Sequence, residues 1–208
     1  MRILALDTTA AVASVALWAD GAVVAEKTGD SKRKHAETIV PLVDELLREN
    51  GLTAKDIDLF AADIGPGSFT GIRIGVSVAN ALAYAAGKRI VGVGALETLA
   101  EPLRAEGKPV LAMIDARNGN AYAACYAGEE TLLEPCAEAV TEILSRVPEN
   151  ALRVGDTPVD GVLPKEELRL PKAACVAAIA ARRAETAVAA VTPVYLRPSQ
   201  AERMKKER

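Results

Sequence analysis

Two stretches of this chain follow one plan. ILALDTTAAVASVAL, near the start, reads as an apolar strand ending at Asp7, a small-residue turn and a second apolar strand. PVLAMIDARNGNAYAACY, which begins after Lys108, repeats the scheme with Asp115 closing its first strand and a polar turn following. A strand–Asp–turn–strand unit stated twice in 208 residues predicts an internal duplication, with two related lobes each built on a sheet. Half of the residues are hydrophobic, so both lobes can bury a core. Only 3% are aromatic, which leaves Ala, Val, Leu and Ile to do the packing.

Between the repeats the period changes. GAVVAEKT follows the hairpin dipeptide Asp20-Gly21 and completes a three-stranded meander. From His35 to Asn50, Ile39, Leu42, Val43, Leu46 and Leu47 recur at helical spacing, with Gly51 placed to end the helix. Pro41 removes a donor inside that pattern and is expected to kink it. IDLFAADIG is a buried strand opening into GPGSFTG, and TGIRIGVSVANALAYAAG is a helix stopped by Gly87. RIVGVGALETLAEPL then returns as strand and helix. Strand–helix–strand order requires a crossover and parallel strands, so the fold class is α/β. The second unit continues with a helix from Thr141 to Arg146, the segment LRVGDTP and an alanine-rich helix near Ala173 to Ala184, and is abbreviated beside the first. The expected division is 1–105 for the N-terminal lobe and 106–208 for a shortened C-terminal lobe with a basic tail.

Several function classes are excluded by what the chain lacks. Its net charge of −3 provides no global field for nucleic acid, and RMKKER from Arg203 to Arg208 reads as a solvated tail. No apolar run is long enough to span a membrane. The amino terminus passes directly into a strand pattern, so no secretory leader is expected and the localisation expected is cytoplasmic. Cys125, Cys136 and Cys175 are odd in number and widely spaced, which suits neither a disulfide framework nor a zinc knuckle. Ser68 lacks the flanking glycines of a nucleophile elbow, having Pro66 and Thr70 in those places, and His35 is the one histidine. No histidine or thiol pair offers metal-ligand spacing.

Phosphate binding keeps more support from the residues. GPGSFTG lacks the Lys-Ser/Thr end of a P-loop, yet glycines leading into a helix N-terminus expose amide donors. Asp7, Thr8 and Thr9 form a second candidate, the aspartate for a metal-bound water and the hydroxyls for phosphate oxygens. The alternative for both is structural: Ser68 as a helix N-cap and DTTAA as a tight turn satisfied by its own hydroxyls. Gly71, Gly75, Ala79 and Ala83 recur every four residues and give the second helix a flat strip that invites close packing.

Taken in order, ILALDTT, HAETIVPLVDELL, GPGSFTGIRIGVSVANALA, IVGVGALETLA, DARNGNAY and PVYLRPSQAE resemble the bacterial TsaB (YeaZ) family from end to end. The resemblance implies an actin-like (ASKHA) fold of two related lobes, with mixed sheets flanked by helices. It also implies a role in forming threonylcarbamoyladenosine at position 37 of tRNAs that read codons beginning with A. The implied partners are the catalytic paralogue TsaD and the ATPase TsaE, with tRNA reached through the complex and a homodimer when the chain is alone. TsaD-type sequences carry a metal-binding histidine pair in the segment matching VGALETLA; here those positions are Ala95 and Leu99. The expectation is therefore a non-catalytic subunit that requires no cofactor of its own. The paralogue's glycine-rich adenosine segment is matched at most by Val154 to Asp156, while the DTT turn survives as a vestigial phosphate site. The partner surface implied lies on the first helix and on the helix after the glycine-rich turn. Its residues would be His35, Ile39, Leu42, Val43 and Leu46, then Ser68, Phe69, Gly71, Ile72, Gly75, Ala79 and Ala83. The alternative class is a stand-alone ASKHA-type ATPase or phosphotransferase acting through Asp7.

Overall fold

The computed structural model describes residues 1–30 and 34–197. The tail from Arg203 to Arg208 lies outside the described residues. Strand β1 (Ile3–Asp7) pairs antiparallel with β2 (Ser14–Ala19), which pairs antiparallel with β3 (Ala22–Thr28). The hairpin between β2 and β3 turns on Asp20 and Gly21, both at positive φ, the conformation that a tight two-residue turn demands. Strand β4 (Leu59–Asp63) joins β1 in parallel, and β5 (Arg89–Val93) joins β4 in parallel. The sheet order is β3-β2-β1-β4-β5.

The second sheet repeats this plan. Strand β6 (Val110–Asp115) pairs antiparallel with β7 (Asn120–Ala127), β7 with β8 (Glu130–Ala139), and β9 (Leu152–Gly155) runs parallel to β6. Its order, β8-β7-β6-β9, is the first sheet without a fifth strand. The architecture is α/β and actin-like: two related mixed sheets with helices against them, the second abbreviated.

Period-2 alternation divides the first sheet between two cores. Leu4, Leu6, Val15 and Leu17 face helices α1 (His35–Glu49) and α2 (Phe69–Ala86). Ile3, Ala5, Ala16 and Ala61 face the opposite way, against helix α5 (Ala173–Arg182). Small residues such as Ala173, Ala177 and Ala180 let α5 lie close on that sheet. The sequence division at 105/106 had grouped α5 with the second lobe, whereas the chain returns after β9 to cover the first sheet with it. Helix α1 continues through Pro41, which lies on its exposed side. Helix α3 (Ala95–Ala100) packs on the second sheet and against α5, while α4 (Val140–Ser145) covers that sheet's other core.

An ion-pair network ties these parts together. The Arg183 guanidinium grips Glu97 on α3 through both of its terminal nitrogens, and Arg182 grips Glu101 at 2.7 Å through both of its own. Arg104 adds a bond of 2.7 Å to Glu129 in the β7–β8 turn. The connection between the two sheets is therefore braced from α5.

Candidate functional site

The turn after β1 and the turn before α2 close on one another. Thr9 receives its structure from Asp7, whose Oδ1 accepts from the Thr9 amide at 2.8 Å and from the Thr9 hydroxyl at 2.7 Å. The Thr8 hydroxyl donates to the carbonyl of Gly71 at 2.7 Å, and the Ser68 amide donates to the carbonyl of Thr9 at 2.8 Å. Ser68 caps α2, its Oγ accepting from the Gly71 amide at 3.2 Å. Asp7, Thr8 and Thr9 are all buried, at 0%, 0% and 3% exposure.

This arrangement corrects the phosphate reading of DTT. The Thr9 hydroxyl is used inside the turn, and the Thr8 hydroxyl is spent on α2. The Asp7 carboxylate is fully buried. The glycine-rich stretch packs on that turn and starts α2.

The strip on α2 is also turned inward. A β-carbon at Gly71 would stand 2.0 Å from the Thr8 carbonyl oxygen, and one at Gly75 would stand 2.2 Å from the Thr8 hydroxyl. Ile72, Ala79 and Ala83 are buried at 1%, 0% and 0%. Ile39, Leu42, Val43 and Leu46 of α1 face the same core. These residues therefore do not form the outer surface assigned to them, and the reason is simple. An amphipathic helix spends its apolar stripe on its own sheet before any partner arrives. Of the anticipated partner residues, Ser68 is exposed, and His35 and Phe69 are half-buried. His35 Nε2 lies 2.8 Å from the carbonyl of Ala10, tying the start of α1 to the DTT turn.

What the two helices leave outside is a different set. On α1 the exposed positions include Val40, Pro41 and Asp44; on α2 they include Arg73, Ser77, Ala81, Tyr84 and Ala85. Tyr84 is 87% exposed and Val40 53%. Sequence reasoning passed over them because it followed the densest apolar stripe. The available signal was an aliphatic and an aromatic residue lying off that stripe.

Between the two sheets lies a cleft of about 1020 Å³. Thr9, His35 and Ser68 line one wall, Asp115, Arg117 and Asp156 the other. Its mouth carries a stacked group: the Arg73 guanidinium lies 4.0 Å over the Phe69 ring, Phe69 and Tyr195 have centroids 4.7 Å apart, and Arg73 Nε donates to the Tyr195 hydroxyl at 3.0 Å. The duplication is visible in the walls. Asp115 Oδ1 accepts the Arg117 amide at 2.8 Å, as Asp7 does for Thr9, and Asp156 follows β9 as Asp63 ends β4. Burial, opposed by the amide of Asp115 and aided by its carboxylate, raises the Asp156 carboxyl above the usual range. In the segment Val154 to Asp156, the glycine is needed for packing. A β-carbon on Gly155 would lie 1.9 Å from the Met113 carbonyl oxygen. Ala95 and Leu99, at the positions matched to the paralogue's histidine pair, are buried at 0% and 2%. Among the described residues no group of three or more His, Cys, Asp or Glu side chains is placed to hold a metal ion.

Residues 22–173 match the family model for TsaD, tRNA N6-adenosine threonylcarbamoyltransferase. The tRNA threonylcarbamoyladenosine biosynthesis protein TsaB of Escherichia coli K12 is 45% identical over 132 residues, 62% of this chain and 57% of that protein. The protein of the same description in Bacillus subtilis 168 is 36% identical over 134 residues, 64% of this chain and 58% of its own length. The matched part of this chain thus spans little more than half of each relative. The solved structure of YeaZ from Pseudomonas aeruginosa is 30% identical, superposes with a TM-score of 0.71, and is covered over 99% of its length by 94% of this chain.

Proposed function

The chain belongs to the TsaB (YeaZ) family, and on that basis we propose that it is a non-catalytic subunit in threonylcarbamoyladenosine formation on tRNA. In this reading it docks a TsaD-type paralogue, stabilises that protein's active form, and helps build the site to which the TsaE-type ATPase is recruited. The tRNAs served are those reading codons that begin with A, modified at position 37 and reached through the complex. Alone, the chain pairs with a second copy through the same face.

The observation that carries the docking part is the uncovered outer face of α1 and α2. Val40 and Tyr84 lie exposed on neighbouring helices whose inner stripes are already consumed by the core. Leaving such side chains in water forgoes apolar burial worth roughly 25 cal/mol per Å². A partner helix pair laid across them would recover it. The non-catalytic part rests on Ala95 and Leu99, neither of which can ligate a metal. The competing reading, a stand-alone ATPase or phosphotransferase, needs Asp7 open to the cleft, and full burial of that side chain weighs against it.

The test is reconstitution with the cognate TsaD-type and TsaE-type proteins, a source of threonylcarbamoyl-adenylate, ATP, threonine, bicarbonate and tRNA. Each component is omitted in turn while transfer to tRNA is followed. Transfer that requires this chain, with no turnover by the chain alone, supports the proposal. Undiminished transfer in its absence overturns it.

A further inference from the structure

Asp7 and Asp63 end neighbouring parallel strands. The β1–β4 register pairs Leu6 with Ala62, so the two aspartates stand side by side one position further on. They are 0% and 1% exposed. On Asp7, Oδ1 accepts two hydrogen bonds from Thr9; on Asp63, Oδ1 accepts one from the Gly65 amide at 2.9 Å. The Oδ2 atom of each has no hydrogen-bond partner among the described residues. Two anions in that buried space would repel one another, which is the arrangement that forces one of a carboxylate pair to stay neutral.

We propose that Asp7 and Asp63 carry a single negative charge between them in the folded protein, with the proton resident on Asp63. This inference is independent of the docking reading above. Burial raises the Asp7 carboxyl as well, but three features favour its anion and leave the charge on it rather than on Asp63: the Thr9 amide, the Thr9 hydroxyl and the nearby His35. Burial and the Asp7 charge hold the Asp63 carboxyl well above the usual range, against a single amide donor from Gly65. The surroundings add little countercharge. Glu26 of β3 acts on Asp7 in the unfavourable sense, and the α5 thiol of Cys175 is itself pushed up partly by Asp7. Lys172 precedes α5 and acts on Cys175, while Glu97 of α3 is engaged by Arg183 and Arg104. On α2, Arg73 and Tyr84 are exposed.

The sign of the linkage is fixed by the direction of the shift. A carboxyl raised in the folded state contributes stability present below its unfolded value, about 3.9, and lost as pH climbs through the folded value. The experiment compares denaturant unfolding of the wild type and Asp63→Asn from about pH 4 upward. Asparagine supplies the neutral, isosteric side chain permanently. The folding constant of Asp63→Asn over that of the wild type should climb by up to tenfold per pH unit and then level. A flat ratio overturns the proposal. So does stabilisation of the wild type by Mg²⁺, Ca²⁺ or K⁺ that Asp63→Asn lacks, because a cation would then neutralise two charged carboxylates. Should Asp63→Asn fail to fold, carboxyl-carbon NMR of ¹³C-aspartate-labelled wild type reads the same point. One protonated aspartate at neutral pH supports the proposal, and full ionisation defeats it.

Discussion

The Thr8 hydroxyl stands 2.2 Å from the place where a β-carbon on Gly75 would sit, closer than any real side-chain contact. Helix α2 can therefore lie where it does only because residue 75 has no side chain. The same hydroxyl donates to the Gly71 carbonyl, so the DTT turn and the first two turns of α2 form one packed unit. Its consequence is that the small-residue strip is structural.

Gly75→Ala should destabilise the isolated chain by about 1–3 kcal/mol, since the added methyl must displace Thr8 or tilt α2. Gly75→Leu should prevent folding. Denaturant midpoints read both, and a Gly75→Leu protein as stable as wild type would return the strip to the surface.

Substitution outside should behave in the opposite way. Tyr84→Glu and Val40→Asp place charge on exposed positions, and each should shift stability by no more than about 0.5 kcal/mol. Both should abolish self-association and binding to the TsaD-type partner. Sedimentation and calorimetric titration separate the two effects, and retained affinity in both variants would move the interface elsewhere.

Removing the Asp7 carboxylate tests the enzymatic alternative directly. In Asp7→Ala the Thr9 amide and hydroxyl lose a buried acceptor, at a cost of about 1–3 kcal/mol. The expected result is lower stability with ATP turnover at background before and after the substitution. Turnover by the wild type that vanishes in Asp7→Ala would establish a catalytic aspartate.

The cysteines should be slow to react. Burial pushes the Cys175 thiol up to about 12, helped by Glu101 and Glu26, and burial also raises Cys125 and Cys136. Because the thiolate is the nucleophile, modification of the native protein should remain slow at neutral pH and become fast in denaturant. Kinetics with an aromatic disulfide reagent would show this. A fast native phase that disappears on mutation of Cys175 would mean that its helix opens.

Much of this molecule was readable before any coordinates. The strand–Asp–turn–strand repeat specified two sheets of like order, because alternation of apolar residues and the turn that follows are local properties. The hairpin at Asp20-Gly21, the cap at Ser68 and the stop at Gly87 were legible for the same reason, each needing only a residue's own conformational preference. Ala95 and Leu99 likewise declared from their side chains alone that they hold no metal. Direction was what the sequence left open. A stripe of Ile39, Leu42, Val43 and Leu46 reads identically whether it meets a partner or its own sheet, and Gly71 and Gly75 read identically against any close neighbour. Only the tertiary structure decided these, by setting Thr8 against α2 and so turning both stripes inward. It also brought Asp63 beside Asp7 across 56 residues of chain. Parallel strand pairing is a long-range event, and a carboxylate's charge depends on what that pairing places next to it.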